Sequence, residues 1–201
     1  MAYLTKNIHN LVEAISKNKV IAFPTDTFFA IGVDATNADV VSKIFTIKGR
    51  ASKTPIPVLV ANINQVVEIT KTIPYKASNL MEKYWPGPLT IILESNSKLP
   101  TNITGNTGTV GVRLPDHSEA LSLISMCGFP LTGTSANKTG NSPHKTSIKV
   151  FEDIGSDLHA IFDHNCGSAT SPSTVLDFTK DPFVVVREGE ISTSEINEYI
   201  N

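Results

Sequence analysis

The side chains with the most chemical potential in this chain are hydroxyls, amides and a few cations set beside glycines. Residues 130–140 read Pro-Leu-Thr-Gly-Thr-Ser-Ala-Asn-Lys-Thr-Gly. A short strand there gives way to a glycine-flanked turn whose hydroxyls, amide and backbone N–H groups can face an anion. The same composition also suits a plain polar turn that caps the next segment. Its company favours the anion: Lys48-Gly49-Arg50 lies upstream, and Arg113 and Arg187 close two apolar runs. Of 17 basic residues only Arg50, Arg113 and Arg187 are arginine. In a chain that otherwise uses lysine, an arginine implies a need for the planar fork that grips phosphate or carboxylate bidentately.

The polar groups expected at element ends are Thr25, Thr27, Lys48, Arg50, Thr109, Arg113, Ser135, Asn137, Ser173 and Arg187. They contain no nucleophile–base pair. A cationic and hydroxylic set suits positioning and charge neutralisation, as in phosphoryl or nucleotidyl transfer, and suits covalent or general-base hydrolysis poorly. Gly105, Gly108 and Gly111 imitate a dinucleotide fingerprint, but they lead into a strand where that fingerprint needs a helix. There is no GxxxxGK[ST] phosphate loop and no HExxH. His159, Asp163, His164 and Cys166 cluster in sequence, yet their spacing matches no standard metal-ligand set.

The elements that must hold these groups follow from periodicity. Residues 7–18 read as an amphipathic helix with Asn7 as N-cap, and 37–48 as a second whose apolar face is Val40, Val41, Ile44, Phe45 and Ile47. Lys48 then falls at a helix C-terminus, where a cation is favoured by the macrodipole. Residues 19–24 form a buried strand that delivers Thr25, Asp26 and Thr27 just past its end, where ligands of open α/β sheets gather. An ST-turn with Asp26 as a local cap is the simpler alternative. Strands are expected at 56–61, 89–94, 110–114, 160–163 and in a pair, 173–178 with 183–187. Pro57 argues for an edge position or a late start in the first of these. Helices are expected at 64–70, 74–85 (with Pro74 in its first turn), 118–127, near 146–154 and at 193–200. Asp116 with Glu119, and Ser192 with Glu195, look like capping boxes.

Composition limits the classes. With 201 residues, 40% hydrophobic and 18% charged, the chain is expected to be a single domain over 1–201 with a substantial core. A net charge of -2 is no global nucleic-acid footprint, though a local basic cleft remains open. Cys127 and Cys166 form no CxxC and read as reduced cytosolic thiols. The N-terminus does not read as a signal peptide, and no apolar run approaches the ~18 residues of a membrane span. A cytoplasmic protein without a membrane partner is expected.

The segments FPTDTFFAIG, KGR with PIPVLV, WPGPLTIIL, VGVRL, PLTGTSANKTG, PSTVLDF and VVREGEI occur in that order. Together they closely resemble the YrdC/Sua5 family of L-threonylcarbamoyladenylate synthases, over about residues 8–191. The paired KxR and SxN motifs, Lys48/Arg50 and Ser135/Asn137, make the resemblance specific. It implies an α/β fold: a twisted mixed sheet flanked by helices around an open, positively charged cleft. It implies condensation of L-threonine, bicarbonate and ATP into threonylcarbamoyl-AMP and pyrophosphate. A separate threonylcarbamoyl-transfer complex would then modify N6 of adenosine 37 in tRNAs reading ANN codons, with contact between tRNA and this chain left open. By motif match, Lys48, Arg50, Ser135 and Asn137 would be catalytic. Arg50, Thr54, Thr109, Ser135, Pro143 and Arg187 would hold ATP, and Thr27, Arg113 and Ser173 threonine. Mg2+ would come with ATP, with Lys48 and Asn137 completing its surroundings and no protein-only metal site.

Three positions depart from the family pattern. Ala51 stands where proline is frequent, Leu59 where many long members carry a histidine, and Gly133 changes the wall beside Ser135. The length matches the short form, so closure of the cleft is expected from its own loops, 51–55 among them, or from partners. Two other classes compete: an RNA-binding module using the same cleft, disfavoured by net charge and by the lack of aromatic stacking motifs, and a carbamoyl-transfer domain of the hydrogenase-maturation type.

Overall fold

The computed structural model describes residues 1–51 and 54–200. Two mixed sheets, rather than one, are built from eleven short strands among the described residues. The first contains β1 (Tyr3–Thr5), β2 (Ile21–Phe23), β3 (Ala30–Gly32), β8 (Thr134–Ser135) and β9 (Ala160–Phe162), ordered β1-β9-β2-β3-β8. The second contains β4 (Val58–Leu59), β5 (Leu89–Glu94), β6 (Thr109–Arg113), β7 (Leu131–Thr132), β10 (Thr174–Asp177) and β11 (Val184–Arg187), ordered β11-β10-β5-β6-β4-β7. β10 and β11 pair antiparallel, as the sequence suggests. β4 is interior, between β6 and β7, and starts only after Pro57, so the late start is the correct half of that expectation.

The chain passes from one sheet to the other at Gly133, between β7 and β8. The seam is stitched by Thr132, whose hydroxyl donates to Ile31 O (2.8 Å) and accepts from Val33 N (3.1 Å). Fully buried, this hydroxyl satisfies backbone groups that no ladder reaches.

Local chemistry fixes the helices. The Asn7 side chain accepts from His9 N and caps α1 (Ile8–Ser16). Asn37 accepts from Asp39 N and Val40 N and caps α2 (Ala38–Lys48), whose expected apolar face is buried throughout. Gly49, at φ 61°, ends α2 in the left-handed region that glycine adopts without strain. The remaining helices are α3 (Ile63–Ile69), α4 (Tyr75–Tyr84), α5 (Thr101–Thr104), α6 (Ser118–Cys127), α7 (Ser147–Ile154) and α8 (Thr193–Ile200). Ser192 Oγ accepts from Glu195 N at 3.2 Å, half of the expected capping box.

Two corrections concern caps. Pro74 is the N-cap of α4 and not a first-turn residue. Asp116 does not cap α6; it is exposed, and His117 is the N-cap, with Ala120 N donating to its Nδ1 at 3.4 Å.

One core cluster centres on Phe29, Ile31, Ile44, Ile56, Leu89 and Ile91. The other lies where α1 and α6 cover Ile21, Phe23, Leu59, Leu131 and Phe162. Each such side chain contributes about 1.5–3 kcal/mol on burial, so the loops that carry the polar groups hang on a rigid support. No helix among the described residues is long and apolar enough to cross a membrane.

Candidate functional site

Strand ends and the turns after them deliver the polar groups to one place. Thr27 follows β2, Arg113 is the last residue of β6, Ser135 the last of β8 and Arg187 the last of β11. Lys48 is the last residue of α2, and the left-handed Gly49 reverses the chain so that Arg50 follows directly. These residues, with Asn137 and Ser173, line a cavity of about 490 Å³. Four of the lining residues are Lys48, Arg50, Arg113 and Arg187, and among the described residues no Asp or Glu lines it.

Lys48 is buried, at 5% exposure. Its ammonium spans 87 or more positions of sequence to donate to Ser135 O (2.6 Å), Asn137 O (2.9 Å) and Asn137 Oδ1 (3.3 Å). All three protons are thus spent on the 135–137 turn, which fixes how Ser135 and Asn137 face the cavity. The macrodipole account of Lys48 is therefore incomplete. Burial, with the neighbouring Arg50 charge adding to it, lowers the Lys48 pKa to about 8. The Asn137 amide in turn donates to Lys138 O (3.0 Å) and Asn141 O (2.6 Å).

Arg50 contrasts with Lys48. Its Nε and one terminal nitrogen are buried with no hydrogen-bond partner among the described residues, while its guanidinium lies 5.6 Å from the Phe45 ring centroid. Burial also lowers its pKa. A desolvated, unpaired guanidinium at a cavity wall is primed for an anion.

On the opposite wall Arg113 is buried and held on three sides. Its Nε donates to Gly87 O (3.0 Å), one terminal nitrogen to Thr27 Oγ1 (3.0 Å), and the other to Asp26 Oδ1. Thr27 Oγ1 also lies 3.1 Å from Thr25 Oγ1. Arg187 donates to Ser173 O (2.7 Å) and Ser173 Oγ (3.2 Å), and Ser173 Oγ meets Thr90 Oγ1 at 2.8 Å.

Of the residues named from sequence, Thr27, Lys48, Arg50, Arg113, Ser135, Asn137, Ser173 and Arg187 converge on this cavity. Thr54, Thr109 and Pro143 do not line it. Thr54 is exposed, Thr109 shares a hydroxyl contact with Thr107 (2.8 Å), and Pro143 borders a neighbouring hollow with His144 and Lys145. The 51–55 loop, read as mobile, falls partly on Ser52 and Lys53, which lie outside the described residues.

Two contributions escaped the sequence reading. Asp26, expected past a strand end among ligand-facing groups or else as a turn cap, pairs with an arginine 87 positions away. Thr90 was unremarked, although a hydroxyl in the apolar run LTIILE was a signal. The departures at 59 and 133 turn out to be one feature: Leu59 and Gly133 both line the cavity, and a Cβ on Gly133 would lie 2.6 Å from Leu59 Cγ.

A family model named Sua5/YciO/YrdC and described as "Telomere recombination" matches residues 13–189. The threonylcarbamoyl-AMP synthase of Pyrococcus abyssi is 36% identical over 186 residues, covering 92% of this chain and 55% of that protein. That of Vibrio vulnificus (strain YJ016) is 31% identical over 176 residues, covering 87% of this chain and 95% of that protein. The chain therefore spans about half the length of the first relative and nearly all of the second. A crystal structure of P. abyssi Sua5 complexed with L-threonine superposes with a TM-score of 0.95 at 32% identity, covering 100% of this chain and 61% of that one.

Proposed function

The chain belongs to the Sua5/YciO/YrdC family, and on that footing we propose that it is an L-threonylcarbamoyladenylate synthase. The observation that carries the reading is the convergence of four cations with Thr27, Ser135, Asn137 and Ser173 on one cavity, with no acidic side chain in its described lining. The reaction brings together two anions. A carbamate, formed from the threonine amine and bicarbonate with loss of water, attacks the α-phosphorus of ATP through a carboxylate oxygen, and pyrophosphate leaves. Bringing them into contact requires fixed orientation and screening of their mutual repulsion.

Arg113 forks onto the threonine carboxylate. Thr27 and Ser173 offer hydroxyls to its amine or hydroxyl, which discriminates against an apolar isostere because a buried polar partner would be left unpaired. Arg50, two of whose nitrogens are without a partner among the described residues, takes the phosphates together with Ser135 and Arg187. Lys48 holds the Ser135–Asn137 turn in place and adds its charge to the same wall.

The described residues contain no group of three His, Cys, Asp or Glu able to hold a metal. That donor set fits magnesium carried by ATP itself, on phosphate oxygens and waters, with Asn137 the neutral oxygen donor beside it. The ion would neutralise phosphate charge. Thr54 and Pro143, on loops, would reach ATP only after loop movement, and Thr109, at the start of β6, would meet only a part of ATP that extends beyond the cavity. The product would pass to a threonylcarbamoyl-transfer complex acting on tRNA, in the cytoplasm.

Pyrophosphate release with ATP, magnesium and bicarbonate, comparing L-threonine with L-serine, L-valine and no amino acid, tests the reading. Release that requires L-threonine is expected. Release indifferent to the amino acid would make the protein an ATP pyrophosphohydrolase, and RNA binding without release would make it a binding module.

A further inference from the structure

Among the described residues, only one of the four cavity cations has a carboxylate in ion-pair contact: Arg113, with Asp26. The pair is shielded, with side-chain exposures of 7% and 11%. Asp26 is held from behind. Gly167 N donates to Thr25 O (3.0 Å), and a Cβ on Gly167 would lie 2.8 Å from Asp26 Cα, so only a glycine lets the two backbones meet. Asp26 Oδ2 is buried and accepts no hydrogen bond. The carboxylate charge is therefore committed to Arg113 and shared with no other donor.

The cations also fall into two neighbourhoods. Lys48 feels the charge of Arg50, and Arg187 feels that of Arg113. Compensation by Asp26 reaches only the second. Among the described residues Lys48 and Arg50 thus have no carboxylate in contact, although the charge of Asp153 acts on Lys48, whereas the rigidly aimed Arg113 guanidinium forms a neutral ion pair beside the open charge of Arg187. This asymmetry bears on a difficulty in the proposed reaction. A polyphosphate carries several negative charges and would be drawn to every exposed cation, while an amino-acid zwitterion has no net charge with which to compete.

We propose that Asp26 is a positioning residue that partitions the cavity, orienting Arg113 for a carboxylate while denying Arg113, though not the neighbouring Arg187, to polyphosphate. This rests on the proposed function and adds to it the means by which two anionic substrates are sent to separate places. Arg113 keeps its geometric fork for an amino acid. The long-range attraction that would bring a triphosphate there is cancelled by the carboxylate behind it.

The test uses the full chain, with tripolyphosphate plus magnesium as probe and L-threonine as titrant in calorimetry. In the unmodified protein, threonine affinity is expected to change by less than about twofold when tripolyphosphate is present, since separate sites do not compete. Competition there overturns the partition without any variant. Absence of threonine binding altogether would instead sink the functional reading, so the two failures are distinguishable.

Asp26→Asn keeps an oxygen acceptor for Arg113 and removes the charge. Tripolyphosphate should then compete with threonine, raising its apparent Kd about tenfold or more. In turnover, the threonine KM should rise about tenfold while kcat falls less than about threefold. A merely structural role would lower thermal stability and kcat without creating competition, and that result refutes the proposal. Asp26→Ser, also neutral and smaller, answers the same question if the Asn variant does not fold.

Discussion

Substituting Gly133 by alanine isolates one contact whose size can be worked out beforehand. The new Cβ would lie 2.6 Å from Leu59 Cγ, 2.9 Å from Cδ2 and 3.2 Å from Cδ1. Gly133 is not among the positive-φ glycines, so the backbone itself accepts alanine. That alone would stabilise by about 0.4–1 kcal/mol through the unfolded chain. The clash works against it. Cγ is not the loose end of Leu59, and β4 is pinned between β6 and β7, so relief requires an off-rotamer leucine or a displaced strand. Overpacking of that kind costs about 1–3 kcal/mol. The net is a loss of about 1–2 kcal/mol, or ~2–8 °C in Tm for a chain of this size. Leu59→Ala alone should cost about 2–5 kcal/mol. The double variant should be no worse than Leu59→Ala, because the methyl at 133 enters the space the leucine vacates. Urea denaturation of the four proteins measures the coupling. Losses that add within about 0.5 kcal/mol would refute the reasoning, as would a Gly133→Ala protein as stable as its parent.

Three further outcomes follow from the same geometry. Arg50→Ala should lose about a hundredfold or more in turnover with Tm unchanged or slightly raised, because two of its buried nitrogens have no partner to lose; wild-type turnover in a folded variant would contradict the assigned role. Lys48, lowered from 10.5 to about 8, is protonated in both folded and unfolded chains below pH 8. Between there and 10.5 the unfolded chain holds more protons, so the Lys48 contribution makes stability rise with pH across that window. Activity that uses the ammonium should fall over the same range, and parallel melting and rate profiles separate the two trends; activity flat to pH 10 would dismiss a charged Lys48. Asp153 accepts from His144 Nε2 (2.8 Å), Asn141 Nδ2 (3.0 Å) and Lys138 N (3.2 Å); although burial alone would raise its pKa, these hydrogen bonds hold it below the ordinary value. Asp153→Ala should therefore expose the 138–144 segment to limited proteolysis and cost about 1–3 kcal/mol, and an unchanged cleavage pattern would show that Asp153 does not anchor it.

Legibility in the sequence tracks the range of the interaction. Asn7 was readable as a cap because the donor it accepts from lies two residues on. Asp116 misled because histidine one place later presents the same kind of acceptor from its ring nitrogen. β1 and β3 escaped notice: each has three residues, and β3 is buried on both faces, so neither shows the alternation that reveals a strand. That the strands divide into two sheets at Gly133 depends on partners far away in sequence, which no local pattern encodes. The site splits the same way. Arg113 and Arg187 announced themselves by residue type and position, whereas the three acceptors of Lys48 and the pairing of Asp26 with Arg113 exist only once the chain is folded. Thr54 and Pro143 entered through motif resemblance alone, and neither lines the cavity; nor do Thr25 and Thr109, which were read as element-end groups.

The first sheet has a consequence for synthesis on the ribosome. β1 and β2 share a partner far along the chain, β9 at Ala160–Phe162, which lies between them, while β2 also pairs with the nearby β3. Lys48 likewise waits for residues 135–137, and Ser173 for Arg187. A nascent chain can shape its first helices and the β2–β3 pair locally, but β1 and the other edge of β2 stay open until β9 has been made. The first sheet therefore closes late, when β9 enters between β1 and β2, and its completion is set by that long-range pairing rather than by the early hairpin.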